Sequence, residues 1–131
     1  MKGKIKLSVT LPASPDIIYN AWLSSKEHTA FTGEKTKSSS KKGGSYVAGD
    51  GYMWGKNIAL DPGKKIIQSW HSKDFPEGAE DSLLEILLEK SGKGTKLTLI
   101  HSDIPEGQAD SYKQGWKDFY FTPMKKYFKS K

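Results

Sequence analysis

Residues 82–102 read SLLEILLEKSGKGTKLTLIHS, and the fold class depends on whether their first half is helix or strand. Leu83 to Leu88 taken alone fits a helical period as well as a buried strand. The turn signal Gly92-Lys93-Gly94 and the strand-like run Thr95 to Ser102 favour strand, because two short runs joined by a glycine turn make a hairpin. The same punctuation recurs upstream at Gly43-Gly44, Gly49-Asp50-Gly51, Asp61-Pro62-Gly63 and Pro76-Glu77-Gly78. Between these turns lie Lys35 to Ser40, Ser45 to Ala48, Met53 to Leu60, Lys65 to Ser72, Ser82 to Lys90 and Thr95 to Ser102. Six consecutive short strands predict an antiparallel meander.

The flanks complete the order of elements. Lys4 to Leu11 alternates strictly, with Ile5, Leu7, Val9 and Leu11 on one face, which predicts a half-buried strand and brings the sheet to about seven strands. Ser14-Pro15-Asp16 then reads as an N-cap, a proline at the first helical position and an acid placed well for the dipole. Ile18, Ala21 and Trp22 continue that helix, and a second short one begins at Ser24 or Ser25 and ends at Thr32-Gly33. After Ile104-Pro105-Glu106-Gly107 helical spacing returns in Tyr112, Trp116, Phe119 or Tyr120, Met124 and Tyr127. Pro123 inside this stretch lacks a donor and predicts a kink or a partial unwinding. The expectation is one α+β domain over residues 1–131, in the order β-α-α-β6-α.

Composition bounds the function. At 131 residues the chain suits one hydrophobic core, and its formal charge of +6 comes from 21 lysines with no arginine. Arginine is the usual bidentate reader of guanine and phosphate, so sequence-specific nucleic-acid binding is disfavoured. Met1 to Thr10 holds three lysines and no acid, Lys113 to Lys131 holds six lysines and Asp118, and Ile66 to Tyr112 holds four lysines and nine acids. If the ends meet in the fold, a basic side faces away from an acidic one. The absence of cysteine removes disulfides and thiolate chemistry and points to the cytosol. No apolar run suits a signal peptide or a membrane span.

Chemical motifs are weak. Gly51-Tyr52-Met53-Trp54-Gly55-Lys56-Asn57 is one residue short of a phosphate loop and carries Asn57 where the magnesium-binding hydroxyl belongs. Ser91-Gly92-Lys93-Gly94-Thr95 has Leu87 where the first glycine is needed. Both read as hairpin turns, and no cofactor is expected. His71 and His101 fall near strand ends without a third ligand at metal spacing, so they read as polar strand ends, and neither a metal site nor a catalytic constellation is expected.

Particular residues carry a resemblance. Gly43-Gly44-Ser45-Tyr46, Asp50-Gly51, Gly55, Leu60-Asp61-Pro62-Gly63-Lys64-Lys65-Ile66-Ile67 and Trp70 resemble the activator of heat-shock-protein-90 ATPase homologue family. So do Phe75-Pro76-Glu77-Gly78, Gly94-Thr95-Lys96-Leu97, Ile104-Pro105 and Gln114-Gly115-Trp116-Lys117-Asp118-Phe119-Tyr120-Phe121. These details look closer to the C-terminal domain of the eukaryotic co-chaperone than to the bacterial branch. The resemblance spans about Ile5 to Phe128 and implies a helix-grip fold of the START and birch-pollen-allergen kind, in which a curved sheet wraps the last helix.

It further implies a non-enzymatic binding module that is co-chaperone-like or stress-related, with a heat-shock-protein-90-type chaperone as partner. The partner-binding candidates are then Phe75, Pro76, Glu77, Lys113 and Lys117. The superfamily implies an alternative, a carrier, sensor or enzyme for a small apolar ligand held between sheet and helix. Trp22, Phe31, Tyr46, Trp54, Trp70, Trp116, Phe119 and Tyr120 are the cavity candidates. The same aromatics also serve as core filler, because a sheet gripping a helix needs bulky apolar side chains.

Overall fold

The computed structural model describes residues 2–130. Strand β1 spans Gly3–Leu11, followed by helices α1 (Pro15–Leu23) and α2 (Ser25–Thr32). Then come β2 (Ser45–Ala48), β3 (Met53–Asp61), β4 (Lys65–Ser72), β5 (Ser82–Ser91) and β6 (Gly94–Ile104). The C-terminal helix consists of α3 (Ala109–Trp116), a π-helical turn (Lys117–Phe121) and α4 (Thr122–Lys129).

The caps form as their residues dictate. The Ser14 hydroxyl accepts from the Ile17 N–H and the Ser24 hydroxyl from the Glu27 N–H. Gly33 ends α2 in the left-handed region, where a residue without Cβ meets no steric penalty.

All neighbouring strands pair antiparallel, in the order β1-β6-β5-β4-β3-β2. The ambiguous 82–88 stretch is strand: Leu84, Ile86 and Leu88 are buried on the inner face, whereas Leu83, Glu85 and Leu87 are only half-buried. On the same inner face lie Leu97 and Leu99 of β6, Ile66 and Trp70 of β4, and Ile5, Val9 and Leu11 of β1. The C-terminal helix closes this face with Tyr112, Trp116, Tyr120, Met124 and Phe128. This is the helix-grip arrangement.

One expectation is corrected. Among the described residues the sheet has six strands, not about seven, because Lys35 to Ser40 makes only the bridge between Lys37 and Val47. That segment has no alternating apolar face to bury. Side chains of neighbouring elements hold it instead: Ser25 Oγ takes the Ser38 N–H, Thr29 Oγ1 takes the Thr36 N–H, and Asn57 Nδ2 donates to the carbonyls of Ser39 and Lys41.

In the last helix the partial unwinding expected at Pro123 takes the form of a wider turn directly before it. The Thr122 N–H reaches back to the Lys117 carbonyl, an i→i−5 bond, and Pro123, which has no N–H to continue the ladder, follows as the second residue of α4.

Candidate functional site

Between the inner face of the sheet and the C-terminal helix lies an open cleft of about 390 Å³. Trp70 of β4 borders it, with Met53 at the start of β3 and Tyr52 just before it. Tyr112, Gly115, Trp116, Phe119 and Tyr120 supply the helix side, and Thr32 and Glu34 close the end beyond α2. The helix residues face the cleft because Tyr112, Trp116 and Tyr120 recur every four positions, nearly one turn apart. Phe119 falls between them and stands 70% exposed at the mouth.

Of the eight cavity candidates, four line the cleft: Trp70, Trp116, Phe119 and Tyr120. Trp22, Phe31 and Tyr46 lie behind the wall as core. Trp22 packs against Trp116 and Tyr120, Phe31 against Trp22 and Phe128, and the Tyr46 hydroxyl donates to the Ser69 carbonyl at 2.6 Å. That bond passes over Gly55, where any Cβ would run into the Ser69 carbonyl. Trp54 does not border the cleft. Strand alternation turns it to the outer face, 38% exposed, where it packs on His71 with ring centres 5.2 Å apart. Two further aromatic residues line the cleft that are not among the cavity candidates, Tyr52 and Tyr112. Tyr112 was legible as the first member of the helical stripe.

The polar groups behind the cleft form closed networks. His101 is fully buried rather than a polar strand end. The Ser82 hydroxyl donates to the Trp70 carbonyl at 2.7 Å, so it must accept from His101 Nε2–H at 2.8 Å, which leaves His101 Nδ1 to accept the Trp116 indole N–H at 3.2 Å. This tautomer cannot take a proton from Ser82, and the pair is no nucleophile and base. Burial lowers the His101 pKa to about 3.

His28 is built likewise. Its Nδ1–H donates to the Trp22 carbonyl at 2.8 Å and its Nε2 accepts the Tyr120 hydroxyl at 2.7 Å, and burial lowers its pKa to about 4 despite the carbonyl bond. Burial pushes the Tyr120 phenol far up, so it stays a donor. A third chain runs from the Trp22 indole N–H to Gln68 and from Gln68 to Asn57, which anchors residues 39–41.

One group is left over. Trp70 Nε1 is the one buried side-chain polar atom without a hydrogen-bond partner among the described residues.

The partner-binding candidates divide. Phe75 is buried against Trp70, His71 and Tyr112, so it holds its loop in place while Pro76 and Glu77 stand exposed. Gln108 Nε2 donates to the Asp74 carbonyl at 2.7 Å and ties the start of the C-terminal helix to this loop. Lys113 and Lys117 are exposed on that helix. His71 Nδ1 meets Asp81 at 3.0 Å nearby. Of the two glycine-rich stretches, Ser91 to Thr95 is the hairpin turn between β5 and β6, whereas only Gly51 and Tyr52 of the first belong to the β2–β3 turn and Met53 to Asn57 run into β3. Among the described residues no three His, Cys, Asp or Glu side chains gather as a metal site would require, and no helix is long and apolar enough to cross a membrane.

Comparison with known proteins adds three findings. Residues 12–129 match the family described as activator of Hsp90 ATPase homolog 1-like protein. The chain is 30% identical over 125 residues to the Homo sapiens activator of 90 kDa heat shock protein ATPase homolog 1, covering 95% of this chain but 37% of that protein. The chain thus spans little more than a third of that relative. Among solved structures, an HSP90 activator from Plasmodium falciparum superposes with a TM-score of 0.83 at 21% identity, covering 91% of each chain. CalU16 from Micromonospora echinospora follows with 0.76 at 23% identity, over 94% of this chain and 76% of that one. At such identities the structural likeness is one of fold.

Proposed function

The chain belongs to the activator of Hsp90 ATPase homolog 1-like family, and on that premise we propose that it is a cytosolic, non-enzymatic binding module of the co-chaperone kind that engages a heat-shock-protein-90-type chaperone. The observation that carries this reading is the 30% identity to the human activator across 95% of the chain. Because the chain spans 37% of that relative, the proposal is engagement of the chaperone, not stimulation of its ATPase. The contact surface we propose consists of the exposed Pro76 and Glu77 with Lys113 and Lys117, on elements that the Gln108 to Asp74 bond holds together. Phe75 acts from beneath as the loop's anchor.

Calorimetric titration of the cognate chaperone with this protein, at low and at moderate salt, tests the reading. Saturable binding that weakens as salt rises is expected, since exposed lysines contribute through screened electrostatics. Absence of binding at high micromolar concentration overturns it.

The cleft supports a second reading, in which the domain holds a small apolar ligand. Its volume of about 390 Å³ falls within the range of roughly 300–1,000 Å³ typical of small-molecule sites.

A further inference from the structure

Five large hydrophobic side chains stand exposed among the described residues, and three of them, Val47, Trp54 and Ile58, share one outer corner of the sheet. Strand register brings them together. Lys37 bridges to Val47, Val47 pairs with Trp54 and Trp54 with His71, so these four form one row across the outer face. Ile58 follows four residues along β3, where the register with β4 shifts between Asn57 and Ala59. That makes it the extra residue of a bulge, a device that re-aims a side chain, and it stands 45% exposed. Single exposed hydrophobics are ordinary, whereas a cluster of them marks a surface for another body.

The corner is also basic. Residues 35–58 hold five lysines, Lys35, Lys37, Lys41, Lys42 and Lys56, against Asp50 alone. All five are exposed, and none makes an ion pair among the described residues. Lys37 stands at the Val47 end of the row, and strand alternation puts Lys56 on the same face of β3 as Trp54. The Gly43 N–H donates to the Asn57 carbonyl at 2.8 Å, which sets Lys41 and Lys42 beside β3. At the far end of the row Asp81 is engaged by His71 at 3.0 Å.

This chemistry selects a partner. Val47 and Ile58 are aliphatic, and His71 packs on Trp54 with ring centres 5.2 Å apart, so the corner makes a poor stacking platform for bases. Lysine offers a flexible point charge, which suits the mobile phosphates and carboxylates of a lipid headgroup layer better than the fixed, bidentate acids that arginine reads. An indole with aliphatic neighbours and a surround of lysines has the composition of a surface that settles at a membrane–water boundary.

We propose that the outer β2–β3 corner docks on an anionic lipid bilayer, with Trp54, Val47 and Ile58 entering the headgroup region and the surrounding lysines supplying the attraction. The C-terminal helix, with Lys113 and Lys117, closes the opposite face of the sheet, so this surface is separate from the proposed chaperone contact.

The test uses vesicles of equal parts phosphatidylserine and phosphatidylcholine, with phosphatidylcholine alone as the neutral reference, and reads binding of the full chain by co-sedimentation. Saturable binding to the anionic vesicles is expected, about tenfold or more tighter than to the neutral ones and weakening as salt rises. Trp54→Ala should weaken it about tenfold, and Lys37→Glu with Lys56→Glu by more than that. Bromine placed near the headgroup end of the acyl chains quenches an indole only at short range. Brominated vesicles should therefore quench the parent protein and leave Trp54→Phe unquenched, because the other three tryptophans are buried. Should Trp54→Ala fail to fold, the lysine pair and the quenching of the parent still decide.

Absence of binding to anionic vesicles overturns the proposal. So does binding that neither variant weakens, which would move the lipid to the lysines of the C-terminal helix, and so does binding without quenching. Two further measurements cover the other occupants. A dimer in sedimentation velocity that Trp54→Ala abolishes, without vesicle binding, would assign the corner to a second copy of this chain. Binding of polyglutamate in place of vesicles would assign it to an acidic protein, and either result overturns the lipid inference. None of these outcomes touches chaperone binding, which is measured separately.

Discussion

His28 and His101 are both buried, and each is locked in one tautomer by a donor on one ring nitrogen and an acceptor on the other. Burial holds their pKa values at about 4 and about 3, below the ordinary 6.5. As pH falls below that ordinary value, the unfolded chain takes up protons that the folded chain refuses, so stability falls with falling pH until the folded pKa is passed. By about pH 4.5 each ring should have removed about 2–3 kcal/mol of the stability present at neutral pH. Denaturant titrations between about pH 7 and pH 4.5 should show this loss, with His28→Phe reducing the slope by close to one proton. Sequence pattern did not foretell this role for His101. A histidine at a strand's C-terminal half looks like a polar end, and only the packing of Trp116 and Ser82 around it shows that it is core.

At the scale of elements, the C-terminal helix shows why some features were legible and others were not. Positions four apart on an α-helix advance by about 40° per step, so a stripe through 112, 116, 120, 124 and 128 would wind off the sheet within its length. The π-helical turn at Lys117–Phe121 absorbs part of that drift and keeps Tyr120, Met124 and Phe128 buried. The aromatic spacing therefore announced a long helix facing the sheet. It left Phe119 and Tyr120 open as alternatives, because a regular 3.6-residue period does not contain the extra residue that places Tyr120 inward. Phe119 is that surplus residue, and deleting it turns the stripe into one an ordinary α-helix satisfies. The deletion variant is expected to unfold cooperatively with a loss of about 1–2 kcal/mol, whereas Trp116→Ala, which empties the core and strands His101 Nδ1, should cost about 3–5 kcal/mol. Chemical denaturation of the two variants side by side distinguishes them.

Over the whole molecule, the order of elements was readable because each boundary is written in local chemistry: the Ser14 and Ser24 caps, Gly33, and the glycine turns of the meander. What faced outward from the sheet was not, since Trp54 looks like a cavity wall until strand register puts it opposite Val47 and His71 on the outer face. Charge distribution is a property of this same scale. The C-terminal helix packs beside β1, which brings Lys4 and Lys6 of the first strand and Lys113, Lys117, Lys125, Lys126 and Lys129 of the last helix onto adjoining elements, all of them exposed. Lys2, also exposed, is drawn towards Glu80 at 3.4 Å, an ion pair too solvated to hold the fold. Exposed lysines at a partner surface act mainly on the rate of encounter, through a field that salt screens within about 10 Å at moderate ionic strength. Reversing two charges at the proposed contact, Lys113→Glu with Lys117→Glu, should slow association with the chaperone about fivefold or more at low salt while changing dissociation little. The difference between variant and parent should shrink as salt rises, and stopped-flow association rates across a salt series measure it directly. A rate unchanged by the double reversal would place the chaperone contact away from this face of the helix.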